Sequence, residues 1–160
     1  NKIKNLGEIK MDLKEFLIEK QIIVTDLTTK QDFFKTIADL AFENNILSNK
    51  EEVILGLNER ESKGSTGLLD GFAIPHAQTP SIQKAAVVIV KSTNKVEWES
   101  LDGEPINTAI CLFVPKSQAG TTHIDFLTEI SKLLMDDDFR ANLNKLNDSH
   151  SIYEAFLSQF

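Results

Sequence analysis

The chain has 160 residues, a net charge of −7, 41% hydrophobic residues and 26% charged ones. This length fits one domain able to bury roughly 70% of the surface of its unfolded form, and the composition is that of a soluble globular protein. The acidic balance, with no basic stripe to neutralise phosphates, excludes a nucleic-acid backbone binder and suits partners carrying positive patches.

Residues 1–11 are largely polar and read as a flexible N-terminal segment, in part carried over from expression; residues 12–160 read as the domain. Asp12 to Glu19 predicts a short helix and Ile22-Ile23-Val24 a brief strand. Thr28 or Thr29 caps a helix with Phe33, Phe34, Ile37, Leu40 and Ala41 on one face. Ser48-Asn49-Lys50-Glu51 has the form of a capping box, so a helix runs from about Asn49 to Ser62 with Val53, Ile54 and Leu57 inward; Lys63-Gly64 stops it. The β-branched runs Ala85 to Lys91 and Thr108 to Val114 read as strands buried on both faces. Val96-Glu97-Trp98 reads as a short edge strand between them, before the turn Leu101-Asp102-Gly103-Glu104-Pro105. A helix over Thr122 to Met135 buries Ile124, Leu127, Ile130, Leu133 and Leu134. Asp136-Asp137-Asp138 caps the next, and Ile152 to Gln159 forms the last. The implied fold class is α/β, a single-domain sandwich with a mixed β-sheet flanked by helices on both faces.

Cys111, the single cysteine, sits in an apolar run and reads as a buried, inert thiol. No apolar run reaches the length of a membrane span, and the N-terminal residues lack a signal-peptide apolar stretch, so the chain reads as cytoplasmic, with no direct membrane insertion.

Chemistry concentrates in Gly71-Phe72-Ala73-Ile74-Pro75-His76-Ala77, just after Gly64-Ser65-Thr66-Gly67. Pro75 lacks an N–H and biases Ile74 to extended geometry, so His76 belongs on a stiff loop outside any helix. Imidazole is a neutral nucleophile near neutral pH. His123 starts a helix, where the partial positive charge disfavours imidazolium and the free N–H groups favour an anion. Arg60, in Glu59-Arg60-Glu61, is by default a solvated helix-end cation; folded back over the glycine turn, its planar fork binds phosphoryl oxygens. His150 lies in a polar stretch with no assigned role.

No metal site is expected: His76 and His123 lack zinc-type spacing, and Asp136-Asp137-Asp138 lacks the calcium-loop pattern. Gly64-Ser65-Thr66-Gly67 is not a Walker loop, and neither Ser65 nor Cys111 has a nucleophile setting.

Together these residues resemble the A component (enzyme IIA, EIIA) of the fructose–mannitol family of the bacterial phosphoenolpyruvate-dependent sugar phosphotransferase system. The resemblance extends from about Asp12 to Phe160. Its densest parts are Arg60-Glu61 with Gly64-Ser65-Thr66-Gly67, then Gly71-Phe72-Ala73-Ile74-Pro75-His76. Leu101-Asp102-Gly103-Glu104-Pro105, His123-Ile124-Asp125-Phe126-Leu127 and Leu133-Leu134 add to it. The turn Leu68-Leu69-Asp70-Gly71 departs from the family, where a smaller Gly or Ile combination is common.

The resemblance implies that His76 is the phosphorylated nucleophile, that Arg60 stabilises phosphoryl charge, and that His123 donates a hydrogen bond or orients His76. It further implies that Ser65 and Thr66 add donors and that Gly67 and Gly71 let a partner's backbone approach. The implied partners are the carrier HPr, a cognate EIIB component and, indirectly, the membrane EIIC component; no cofactor is required. A fructose-type transport role is the leading expectation. The alternatives are a regulatory nitrogen-type EIIA paralogue and a non-phosphorylated structural or binding domain.

Overall fold

The computed structural model describes residues 12–116 and 122–160; the N-terminal segment expected over residues 1–11 lies outside them. Five strands form one mixed sheet: β1 (Ile22–Thr25), β2 (Phe72–Ala73), β3 (His76–Ala77), β4 (Ala86–Val96) and β5 (Ile106–Phe113). β4 and β5 pair antiparallel at its centre, β1 runs parallel to β4, and β2 and β3 both run parallel to β5 on its other side. The helices are α1 (Lys30–Glu43), α2 (Lys50–Ser62), α3 (Thr122–Leu133), α4 (Asp137–Asn144) and α5 (Ser149–Leu157).

Alternation along the central strands divides the core. Ala86, Val88, Val90, Ala109 and Cys111 pack against Phe33, Phe34 and Ile37 of α1 and Val53 and Leu57 of α2. Val87, Ile89, Ile110 and Leu112 face Phe126, Leu127 and Ile130 of α3, together with Phe139, Ile152 and Phe156 from α4 and α5. Each Val, Leu, Ile or Phe among them contributes roughly 1.5–3 kcal/mol by leaving water. The α/β sandwich with helices on both faces is therefore the fold.

Several local expectations need correction. Asp12 to Glu19 is not one helix but 3-10 turns at Leu13–Glu15 and Glu19–Gln21; the first is capped by Asp12, and Leu13, Phe16 and Leu17 already lie in the core. Asn49, not Ser48, caps α2, accepting from the Glu52 N–H at 3.1 Å. β4 extends past Lys91 to Val96 through a register irregularity, so Val96 ends a central strand and starts no separate edge strand. Beyond it Trp98 turns into the core, edge-on to Phe33 and Phe34. Ile54 and Leu133 are only half-buried. α5 starts at Ser149 on an Asp148 cap, which puts His150 in a first turn facing Glu19. Thr29 caps α1 through a reciprocal bond with Asp32, and Asp136 caps α4, both within the expected choices.

Candidate active site

His76 lies on the sheet edge, not on a free loop. β2 and β3 are two pieces of one edge strand along β5, separated by Ile74-Pro75, where proline can donate nothing to the ladder. The Pro75 carbonyl still accepts the Leu112 N–H at 3.0 Å, so the interruption keeps its register. Ala77 packs into the core below α1 and α2, and alternation turns His76 to the opposite side. There it borders a groove of about 550 Å³, lined chiefly by Leu68, Ile74, Leu112, Leu127 and Met135.

Two hydrogen bonds define the His76 ring. Nδ1 lies 3.1 Å from the Ile74 carbonyl, and Nε2 lies 2.9 Å from Arg60 Nε. A carbonyl can only accept and a guanidinium N–H can only donate, so Nδ1 carries the proton and Nε2 the lone pair. Arg60 comes from the last turn of α2, and its Nη1–H donates to the Gly64 carbonyl at 2.7 Å. The guanidinium thus folds back over the glycine turn onto His76.

The turn is organised by Glu61, which sequence reasoning placed only within the Arg60-Glu61 motif. Its carboxylate is buried and accepts from Thr66 N at 3.0 Å, Thr66 Oγ1 at 2.7 Å, Trp98 Nε1 at 2.9 Å and Ser65 Oγ at 3.0 Å. Burial by itself raises the pKa of this carboxyl; the bonds from Thr66, Trp98 and Ser65 outweigh it and hold the group below its ordinary value. A signal was present in the sequence. An acid in the last turn of a helix opposes the macrodipole, so Glu61 needs donors from elsewhere.

This arrangement occupies the groups expected to bind a ligand at Ser65, Thr66 and Gly67. The Thr66 hydroxyl serves Glu61, the one Ser65 hydroxyl proton is shared between Glu61 and the Glu99 carbonyl, and Ser65 Oγ accepts the Gly67 N–H. At Gly67 the close backbone is this chain's own: a Cβ there would stand 2.2 Å from the Glu99 carbonyl oxygen. Gly71 adopts φ +87°, which glycine tolerates, and its carbonyl takes the N–H groups of Asn107 and Thr108. The preceding Asp70 is itself left-handed at φ 56°. It is held by Asp102 at its N–H, Asn144 at its carbonyl and Arg140 at its carboxylate, which accommodates the departure at Leu68-Leu69-Asp70-Gly71.

His123 belongs to the first turn of α3, but its side chain lies outside the described residues. Among the described residues, no three histidine, cysteine or acidic side chains gather in a metal-binding group. Among the same residues, no helix is long and apolar enough to cross a membrane. Cys111 is fully buried in β5, and burial pushes its thiol well up.

A family model described as phosphoenolpyruvate-dependent sugar phosphotransferase system, EIIA 2, matches residues 15–159. The PTS system fructose-specific EIIABC component of Mycoplasma pneumoniae is 30% identical over 134 residues, covering 82% of this chain and 19% of that protein. The chain thus spans about a fifth of that relative's length. Nitrogen regulatory protein IIA-Ntr from Neisseria meningitidis superposes with a TM-score of 0.78 at 25% identity, over 88% of this chain and 96% of that one. The enzyme IIA of the mannitol system of Escherichia coli, solved with its phosphorylated enzyme IIB, has the same fold. It superposes with a TM-score of 0.72 at 16% identity, over 89% of this chain and 98% of that one. An edge-strand histidine gripped by a helix-end arginine thus sits in a chain matched from Glu15 to Gln159, and the chain belongs to the EIIA type 2 family of the phosphoenolpyruvate-dependent sugar phosphotransferase system.

Proposed function

We propose that this chain is a phosphocarrier that accepts a phosphoryl group from phosphohistidine HPr on Nε2 of His76 and passes it to a cysteine of a cognate EIIB component. The observation that carries this reading is the ring's pair of hydrogen bonds, Nδ1–H to the Ile74 carbonyl and Nε2 to Arg60. In the first step Nε2 forms a bond to phosphorus as the donor's N–P bond breaks. The donor ring, carrying its proton on the other nitrogen, keeps the electron pair of the broken N–P bond and leaves as neutral imidazole, and His76 keeps its Nδ1 proton. No proton needs to move, and the Ile74 carbonyl faces the positive charge that develops on the ring. Transfer of a metaphosphate-like group rests on positioning and charge stabilisation. Arg60 serves both, leaving the lone pair as phosphorus arrives and turning its fork onto the phosphoryl oxygens. His123, at the start of α3, supplies a further donor. The groove beside His76 receives the partner's apolar contacts.

A fructose-type transport role draws support from the Mycoplasma relative. In that role the B component delivers the group to sugar entering through a membrane EIIC component, and this chain acts in the cytoplasm. A regulatory role, in which phosphorylation of the same histidine switches binding to other proteins, draws support from the nitrogen regulatory neighbour.

The test is the intact mass of the protein after incubation with phosphoenolpyruvate, enzyme I and HPr, beside His76→Ala. The expected result is an acid-labile gain of one phosphoryl group in the native protein and none in the variant. An equal gain in the variant, or none in the native protein with a working carrier control, overturns the proposal. Onward transfer to an EIIB component separates transport from regulation.

A further inference from the structure

The transfer chemistry makes no use of Glu61, yet this carboxylate is 9% exposed and its four hydrogen-bond donors are all neutral. Burying a charge without a counter-ion is costly, and a carboxylate is retained there only where several donors converge on it. Two chains of hydrogen bonds lead from it to the reacting groups. Along the first, Glu61 holds Thr66 by its N–H and hydroxyl. The Thr66 carbonyl accepts the Ile74 N–H at 3.0 Å, and the Ile74 carbonyl accepts His76 Nδ1–H at 3.1 Å. Along the second, Glu61 fixes the turn at Ser65 and Thr66. The Gly64 carbonyl in that turn takes Arg60 Nη1–H at 2.7 Å, which leaves Arg60 Nε at 2.9 Å from His76 Nε2. Trp98 closes the arrangement from the far side, bringing the start of the Leu101 turn against Gly67.

We infer that Glu61 is a positioning residue for phosphoryl transfer, setting through the Gly64–Thr66 turn both the ring tautomer of His76 and the placement of Arg60. This deepens the phosphocarrier reading and rests on it for the transfer step, while the claim about the ring holds with or without transfer. A carboxylate is the group required because it accepts at every lone pair. Glutamine has the same shape, but an NH₂ replaces one acceptor. At the Oε1 place it takes away the acceptor of the Thr66 hydroxyl, which must turn round, and at the Oε2 place it opposes the Thr66 and Trp98 N–H groups, while the hydrophobic contacts stay in place.

The test compares native protein with Glu61→Gln by ¹⁵N NMR of the His76 ring without phosphoryl donor, and by rates of phosphorylation from phospho-HPr. We expect the native ring as a single Nδ1–H tautomer and the variant ring as a mixture. Displacements on the scale of an ångström cost about a hundredfold in positioned reactions, so we expect kcat lower by about tenfold to a hundredfold with KM for phospho-HPr little changed. Thr66→Val, which keeps the N–H bond and removes the hydroxyl bond, should shift both readouts in the same direction by less. It decides the question if Glu61→Gln does not fold. A folded variant with the native ring spectrum and native kcat overturns the inference, whatever its melting temperature. If the native protein takes no phosphoryl group, the phosphocarrier reading fails and the ring spectra alone decide the role of Glu61.

Discussion

Glu61 and Arg140 reach the loop segment from Thr66 to Asp70, which leads into the edge strand carrying His76, from opposite faces of the sheet, one from α2 and the other from α4. Both are buried, and each holds one end of that segment, Glu61 at Thr66 and Arg140 at Asp70. Their partners differ. Arg140, 2% exposed, pairs with carboxylates that are 54% and 88% exposed at Asp70 and Asp137, and it also donates to the Leu134 carbonyl at 2.7 Å. If Arg140 is removed, both carboxylates return to water. If Glu61 is removed, the Thr66 N–H and the Trp98 Nε1–H are left in the interior with nothing to accept them. The end of the segment nearer the chemistry is thus built from groups without a solvated alternative, and the far end from groups that have one.

Breaking the Glu61 end should cost most. Glu61→Leu should destabilise the fold by about 3–5 kcal/mol, since each orphaned buried donor costs roughly 1–3 kcal/mol; a smaller loss in urea unfolding means water reaches those donors. The same residue sharpens the comparison through pH. Its folded pKa is lowered, so its contribution is fully present above the unfolded value and is lost as pH falls through the folded one. Native stability should therefore fall below the ordinary glutamate range near pH 4–5, and Glu61→Gln should lack that component of the decline. Equal slopes in the two proteins would locate the acid sensitivity elsewhere.

Arg60→Ala tests whether this end carries chemistry as well as structure. The transfer rate from phospho-HPr should fall by an amount equivalent to ~3–4 kcal/mol, with the site of attachment unchanged. A variant phosphorylated elsewhere would break the assignment. Arg140→Met should cost only about 1–2 kcal/mol in stability and leave the rate per folded molecule near native, because the strained Asp70 turn keeps its bonds to Asp102 and Asn144. A large rate loss there would make the two ends equivalent. Asp137→Asn, altering an exposed partner of Arg140, should change the unfolding free energy by less than about 0.5 kcal/mol.

Of the reacting pair, His76 was legible in the sequence for local reasons and Arg60 through the family resemblance. Pro75 denies His76 a helix, and Lys63-Gly64 ends α2 one turn after Arg60, close enough for its side chain to fold back. Glu61 was readable in part, as an acid at the wrong end of a helix. Its partner Trp98 was not, because an apolar residue beyond a strand run has no period to show where it turns inward. The supposed loop around His76 proved to be an edge strand, since two residues on either side of a proline are too few to register as alternation.

Helix faces, the caps of α1 and α4 and the two central strands follow from the order of residues alone, because each depends on neighbours within a turn or two of chain. The pairing of Arg60 with His76, 16 positions apart, was reached through the family resemblance. The meeting of Trp98 with Glu61 across 37 positions, and of Arg140 with Asp70 across 70, belongs to the tertiary structure. So does the tautomer of His76. Each of these depends on which groups the sheet brings face to face once its strands have paired, and no spacing along the chain encodes that.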